Sequence, residues 1–394
     1  MRRLRTLPTR RLWLIVAGAA ALVLTAGIAQ AALRGGATKP QPKTLARAML
    51  DALRAPEVKG VTARIHFTNN LLPSGSLPDG GTTPLATGAD GRLWMTADGR
   101  ARLELQSDAG DAQIVYDGKQ LTVYDASSNT VYRLPVSEGQ PAAAKQPEHK
   151  PTLADVRTML RHLARDWNVS GAQPSVTGNR PSYTVRISPK DDGGLLGAAR
   201  LAWDAATGAP LRAAVYAQGQ SAPVLELKAT HVSYGHVPAS DVTLKPPPGA
   251  KTVDVSPPAA PAAHAQRHQK SVAGLKAVQR RLSFRLAAPA RLAGLPRQEV
   301  RLTRSGGEAG AVATYGKGLG AIVVFQHKAD GAAQPQTGGR GGLQLPRINI
   351  RGATGSELAT ALGTVLTFQR GGVAYVVAGS VPPAAAESAA RGLR

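Results

Sequence analysis

At 394 residues, with 43% hydrophobic content and a formal net charge of +23, the chain is long enough for two ordinary domains and too apolar for wholesale disorder. Cysteine is absent, which excludes disulfides, thiolate metal sites, a cysteine nucleophile and acylation at cysteine. Aromatic residues make up only 4%, while 43 glycines and 29 prolines point to many short strands joined by tight turns.

The N-terminus carries Arg2, Arg3, Arg5, Arg10 and Arg11 ahead of an apolar run, residues 12–29. A basic flank before an apolar stretch predicts export, with Ala29-Gln30-Ala31 as an A-x-A cleavage site. The same run is long enough for an uncleaved anchor, so residues 1–34 read as a signal peptide or a membrane anchor. Either way the arginines stay in the cytoplasm and the rest of the chain lies outside.

Residues 43–55 place Leu45, Ala48, Met49, Ala52 and Leu53 at helical spacing, which predicts an amphipathic helix. The period then becomes two. In residues 61–68, Val61, Ala63, Ile65 and Phe67 alternate with Thr62, Arg64, His66 and Thr68. Residues 91–105 predict a hairpin about Asp98-Gly99, and 113–134 a meander turning at Asp117-Gly118 and Ser127–Asn129. Residues 69–88 read as a loop over one sheet end, with Leu71, Leu72, Leu77 and Leu85 packed on the sheet or forming a lid. A helix is expected over 152–167, N-capped by Thr152 with Asp155 at capping-box distance, and strands over 182–189, 198–205, 210–218 and 224–235. Residues 242–255, VTLKPPPGAKTVDV, read as a last strand stopped by Pro246, Pro247 and Pro248 before a Pro/Ala linker, 256–269.

A new alternating set begins after it: RLSFRL, QEVRLTR, AVATYG, AIVVFQHK, RINIRG, TVLTFQRG and VAYVVAGS, with a closing helix over 381–393. The expected layout is a curved-sheet domain over 35–255 and a small basic α+β domain over 270–394. Residues 268–394 hold 17 basic and 5 acidic residues, a net +12. Export and the lack of basic–aromatic interleaving argue against nucleic acid. Anionic lipid headgroups of a membrane surface, wall polymers or an acidic protein partner fit that charge better, beside the plain reading of a solvated basic surface.

Catalytic signatures are missing: there is no G-x-S-x-G elbow, P-loop or H-E-x-x-H. Gly316–Gly320 joins two strand-like runs and reads as a hairpin turn. His264 and His268 have i, i+4 spacing but fall in the linker, so no metal, cofactor or enzymatic activity is expected.

About eight antiparallel strands and two helices predict a curved sheet wrapped around its helices. Its inner face would carry Ile65, Phe67, Leu93, Met95, Leu103, Leu105, Ile114 and Leu121, facing Met49, Leu53, Met159 and Leu163. These twelve residues either line a cavity for acyl chains or fill a solid core; periodicity fits both.

The GRLW stretch (91–94), followed by IVYDGKQLTVYDASSNTVYRL (114–134), resembles the LolA family of exported carriers. GLLGAARLAWDAATGAPLR (194–212) and residues 242–255 look like that family's second half. The resemblance covers about 43–255. It implies an α+β fold, an unclosed antiparallel β-barrel plugged by helices, which binds lipid or the acyl part of lipoproteins. Thr96-Ala97-Asp98 stands where such carriers often place a latching arginine, so transfer to an outer membrane is not implied. The two-domain layout, with GGVAYVVAGSVPPAAAESAARGL (371–393), is similar to the RseB/MucB group, which implies a membrane-spanning anti-sigma factor as partner.

Overall fold

The computed structural model describes residues 37–72, 83–108, 110–136, 151–191, 193–255, 272–305, 308–329 and 345–394. The apolar run 12–29, the A-x-A site, Leu77 and the linker with His264 and His268 lie outside the described residues.

The larger sheet has thirteen strands: β1 Gly60–Asn69, β2 Gly88–Thr96, β3 Ala101–Ser107, β4 Gly110–Tyr116, β5 Gln120–Asp125, β6 Thr130–Pro135, β7 Trp167–Val169, β8 Gln173–Thr177, β9 Arg180–Pro189, β10 Leu196–Asp204, β11 Pro210–Ala217, β12 Leu225–Tyr234 and β13 Lys251–Asp254. Helices α1 (Leu45–Leu53), α2 (Pro84–Thr87) and α3 (Leu153–Leu163) accompany it. Its order is β13-β6-β5-β4-β3-β2-β1-β12-β11-β10-β9-β7, with β8 paired to β9 off this path. Every pairing is antiparallel except that of β13 with β6. The end strands do not meet, so the sheet curls into an unclosed half-barrel. The fold class is α+β, as the sequence predicts, with thirteen strands in place of about eight.

Helix α1 is N-capped by the Thr44 hydroxyl, and α3 by a full capping box between Thr152 and Asp155. The expected helix over 152–167 is a turn too long: α3 stops at Leu163, and Trp167 starts β7 opposite Pro189. Pairing with β9 outweighs the helical spacing of Trp167. In α1 the buried residues are Ala46, Ala48 and Leu50, not the Met49–Leu53 side of the expected stripe.

The reading of 242–255 as one terminated strand is also corrected. Residues Ala239–Val242 form a 3-10 turn, Pro246–Pro248 join no ladder, and the chain goes on to a further strand, β13. This connection crosses the back of the sheet from β12 to the far edge, and Arg102 Nη1 donates to the Thr243 carbonyl at 3.4 Å on the way. A proline run suits it, because a segment without ladder partners has no need of three N–H donors.

The smaller sheet comprises β14 Arg291–Leu292, β15 Leu295–Ser305, β16 Glu308–Tyr315, β17 Ile322–Lys328, β18 Arg347–Ile350, β19 Ala353–Thr360, β20 Gly363–Arg370 and β21 Val373–Gly379. Its order is β14-β15-β16-β17-β21-β20-β19-β18. Helices α4 (Leu275–Gln279) and α5 (Pro383–Gly392) cover one face and close a core around Val324, Leu366, Val377, Ala386 and Ala390. Gln326 is fully buried in this core, its amide accepting from Ala287 N and donating to Ala287 O. RLSFRL (281–286) alternates like a strand but forms none: the Gln279 side chain takes up the Phe284 carbonyl and the Leu286 N–H, so the segment turns as a loop. Gly316–Gly320 connects β16 and β17, as expected of a hairpin turn.

Candidate functional site

Strand register decides which side chains share a face. Val61 lies opposite Met95, Ala63 opposite Leu93, and Leu93 opposite Leu103. Leu103 then meets Ile114, Ile114 meets Val123, and Val123 meets Tyr132. One continuous apolar face therefore runs from β1 to β6, and all eight sheet residues expected to line a cavity stand on it.

They are not equally open. Ile65 and Leu105 are sealed at 3% and 1% exposure within a core that includes Ala63, Ala89, Leu211, Ala229 and Val232. Phe67, Leu93, Met95 and Leu103 pack half-buried at its border, while Ile114 and Leu121 are half-buried and join no buried cluster among the described residues. The first glycine of GRLW contributes to the seal. A Cβ on Gly91 would lie 2.0 Å from the Glu104 carbonyl and 3.1 Å from Leu105 Cδ2, so only glycine lets Leu105 close over Ile65.

Helices α1 and α3 cover a different part of the face. Ala48 and Leu45 of α1 pack on Tyr183 of β9 and Trp203 of β10, and Tyr183 Oη donates to the Gln41 carbonyl. Helix α3 lies on α1 through Val156, Leu153 and Leu160 against Ala46, Met49 and Leu50. Leu163 is half-buried, whereas Leu53 and Met159 are 41% and 44% exposed. The expected plug therefore sits at the β9–β10 end. Helix α2 reaches β3 and β4, with Leu85 against the neighbouring core, while Leu103, Ile114, Leu121, Val123, Tyr132 and Leu134 stay half-buried as a trough over β3–β6. Val123, Tyr132 and Leu134 were not among the expected lining residues, although the alternation in 120–125 and 130–135 continues that of 113–116 and could have identified them.

The end of the sheet under α1 is fixed by a buried polar cluster. Asp204, with no exposed surface, accepts from Arg180 Nε at 2.8 Å, from Tyr234 Oη at 2.8 Å, and from the N–H groups of Ala206 and Thr207. The Arg180 guanidinium also lies over the Tyr234 ring, 4.9 Å from its centre. Burial first, then the Asp204 charge, pushes the Tyr234 phenol well above its ordinary value. This cluster has every partner it needs and serves as a clamp.

Two clefts lie away from the trough. One, of about 430 Å³, opens beside Arg64, Asp90, Arg92, Glu104, Gln106 and Thr230, where β12 bulges against β1. The other, of about 550 Å³, is lined by Leu275, Lys276, Gln279, Arg280, Arg285 and Leu286. Among the described residues no cluster of His, Asp and Glu could hold a metal ion, and no helix is long and apolar enough to cross a membrane.

No family model matches the chain, and no curated protein matches it. Among solved structures it is similar to a chain of the Pseudomonas aeruginosa MucA/MucB complex, at 17% identity over 89% of this chain and 98% of that one, with a TM-score of 0.40. It is similar to a LolA superfamily protein, NE2245 from Nitrosomonas europaea, at 12% identity over 51% and 98% of the two chains, TM-score 0.21. A third likeness is to a putative outer membrane lipoprotein-sorting protein domain from Vibrio parahaemolyticus, at 9% identity over 50% and 94%, TM-score 0.22. These are likenesses of fold, and they fix neither a ligand nor a partner.

Proposed function

We propose that the chain is an exported, membrane-associated binding protein, not an enzyme, whose curved sheet holds the alkyl part of a lipid or of a lipid-modified protein. The observation that carries this reading is the trough itself: adjacent strands β3–β6 present an unbroken apolar face that the described helices leave half-open. A contiguous apolar face that stays only partly covered fits a binding surface. Each methylene taken up contributes about 0.8 kcal/mol, so ten of them supply about 8 kcal/mol before the cost of association. The working units are residues 35–255 and 270–394, joined by the Pro/Ala segment 256–269.

The test is native mass spectrometry of the chain purified from membranes, beside Leu103→Asp. Leu103 suits a charge substitution because it is half-buried, whereas an aspartate at sealed Ile65 would unfold the sheet. Acyl-bearing adducts on the native chain and their loss from folded Leu103→Asp support the reading. Adducts equal in both, or absent from both, contradict it.

A second reading is favoured by the net +12 of residues 268–394. In it the chain is a regulator that holds the extracytoplasmic part of a membrane-spanning anti-sigma factor through its smaller unit. Affinity capture that recovers such a protein with the native chain, and not with a variant whose charges over 270–394 are scrambled, would support it.

A further inference from the structure

The cleft at α4 carries a separate inference. Lys276, Arg280 and Arg285 line it with Leu275 and Leu286, and among the described residues no carboxylate lines it. None of Lys276, Arg280, Arg281 and Arg285 makes an ion pair with a described residue. The only uncharged polar side chain among the described lining residues is already committed. Gln279 donates through Nε2 to the Phe284 carbonyl at 2.8 Å and accepts through Oε1 from the Leu286 N–H at 2.8 Å. Those two bonds fold 284–286 back toward α4 and set Arg285 beside Lys276 and Arg280.

We propose that this cleft is a docking site for the surface of an anionic membrane. Lipid phosphates would sit against Lys276, Arg280 and Arg285, and Leu275, 36% exposed, would reach the boundary of the acyl region. Charge complementarity carries the argument: cations that line one cleft with no described counter-ion repel one another and are relieved by an anion. An acidic peptide is the less suitable occupant. Arginine clusters also take acidic peptides, but a purely acidic peptide would leave the exposed Leu275 beside the cations without an apolar partner. Headgroup phosphates are met by arginine in bidentate fashion and by lysine as a point charge. Leucine beside the cations suits an interface that is polar on one side and oily on the other.

The absence of native cysteine makes the test clean. The full chain carrying Ser283→Cys, an exposed position in the loop, is labelled with a fluorescent donor and added to vesicles containing a headgroup-labelled acceptor lipid. Vesicles of phosphatidylcholine are compared with vesicles containing about one-third phosphatidylglycerol. Docking predicts energy transfer in the anionic vesicles, its loss at high salt, and a fall of about a hundredfold in the docking constant for Lys276→Gln/Arg280→Gln/Arg285→Gln, at about fivefold per cation. Arg280→Lys/Arg285→Lys should retain transfer. Equal transfer in both vesicle types overturns the proposal. So does an equal loss with Arg304→Gln/Arg347→Gln/Arg351→Gln, which removes the same charge elsewhere on the smaller sheet. Binding of a polyglutamate peptide that the cleft triple abolishes, without preference for anionic vesicles, would reassign the cleft to acidic protein. None of these outcomes depends on the apolar trough.

Discussion

The backbone N–H of Leu195 donates to both oxygens of Ser380, carbonyl and hydroxyl, at 3.0 Å each. The β9–β10 turn of the larger sheet is thereby tied to the end of β21 in the smaller one. The Ser380 hydroxyl in turn donates to the Leu362 carbonyl at 2.7 Å, and next to Leu362 the Ala361 N–H donates to the Leu71 carbonyl at 2.8 Å. The two sheets thus meet at turns and strand ends, through backbone groups and the Ser380 hydroxyl.

Gly194 makes that approach possible. It sits at φ +59°, and a Cβ there would lie 2.1 Å from the Ser380 carbonyl oxygen. Gly194→Ala should cost about 1–2 kcal/mol in backbone strain and also part the two sheets. The measurement is hydrogen exchange at the Leu195 amide, whose protection should vanish while the strand cores keep theirs. Gly99→Ala is the control, since its φ is +83° with nothing within 4 Å of the new Cβ. That variant should lose stability without altering Leu195 exchange.

The Asp204 clamp predicts a second outcome. Arg180→Ala leaves a buried carboxylate without its counter-ion, which typically costs 3–5 kcal/mol. Tyr234 and two N–H donors remain, so about 3 kcal/mol is expected in urea unfolding followed on the larger sheet. A loss below 1 kcal/mol would show that the pair is not desolvated.

A third prediction concerns pH. Glu357 of β19 is 9% exposed and one of its oxygens, Oε2, has no partner. Burial, with Glu387 adding repulsion, raises its carboxyl above the ordinary value. The folded state therefore keeps this proton to higher pH than the unfolded chain does. Its contribution to stability falls as pH climbs from the ordinary carboxylate range through the raised folded value. Glu357→Gln should accordingly be about 1 kcal/mol more stable than the native chain at pH 7 and equal to it near pH 4, read by thermal unfolding at both values.

A fourth test addresses the buried amide of the smaller core. Gln326→Leu leaves both backbone groups of Ala287 unpaired in an apolar core, at about 1–3 kcal/mol for each group. The expected loss of about 3 kcal/mol should appear in the melting of the smaller sheet. A neutral result would mean that water replaces the amide.

How much of this was legible in the sequence depends on the range of the interaction. The alternation Val61, Ala63, Ile65, Phe67 and the Asp98-Gly99 turn are local signals, and the strands they predict are present. Thr152 with Asp155 announces α3 for the same reason. What was lost depends on distant partners. Trp167 follows helical spacing yet pairs with Pro189, and β13 exists only because β6, over a hundred residues earlier, offers it an edge. The loop 281–286 alternates convincingly, but Gln279 claims its backbone groups. At the trough, periodicity gave the right face and not its openness. The same alternating leucines are sealed at Leu105 and half-open at Leu103, a difference set by Gly91, which lets Leu105 close into the Ile65 core.

Photo-crosslinking tests the central claim most directly. A phospholipid bearing a diazirine midway along one acyl chain is incubated with the full chain, irradiated, and the adducts are mapped by peptide mass spectrometry. Adducts concentrated on peptides that contain Leu103, Ile114, Leu121 and Tyr132 are the predicted result. Adducts confined to the outer surfaces of α1 and α3 or to the smaller sheet, or no adducts at all, would contradict it.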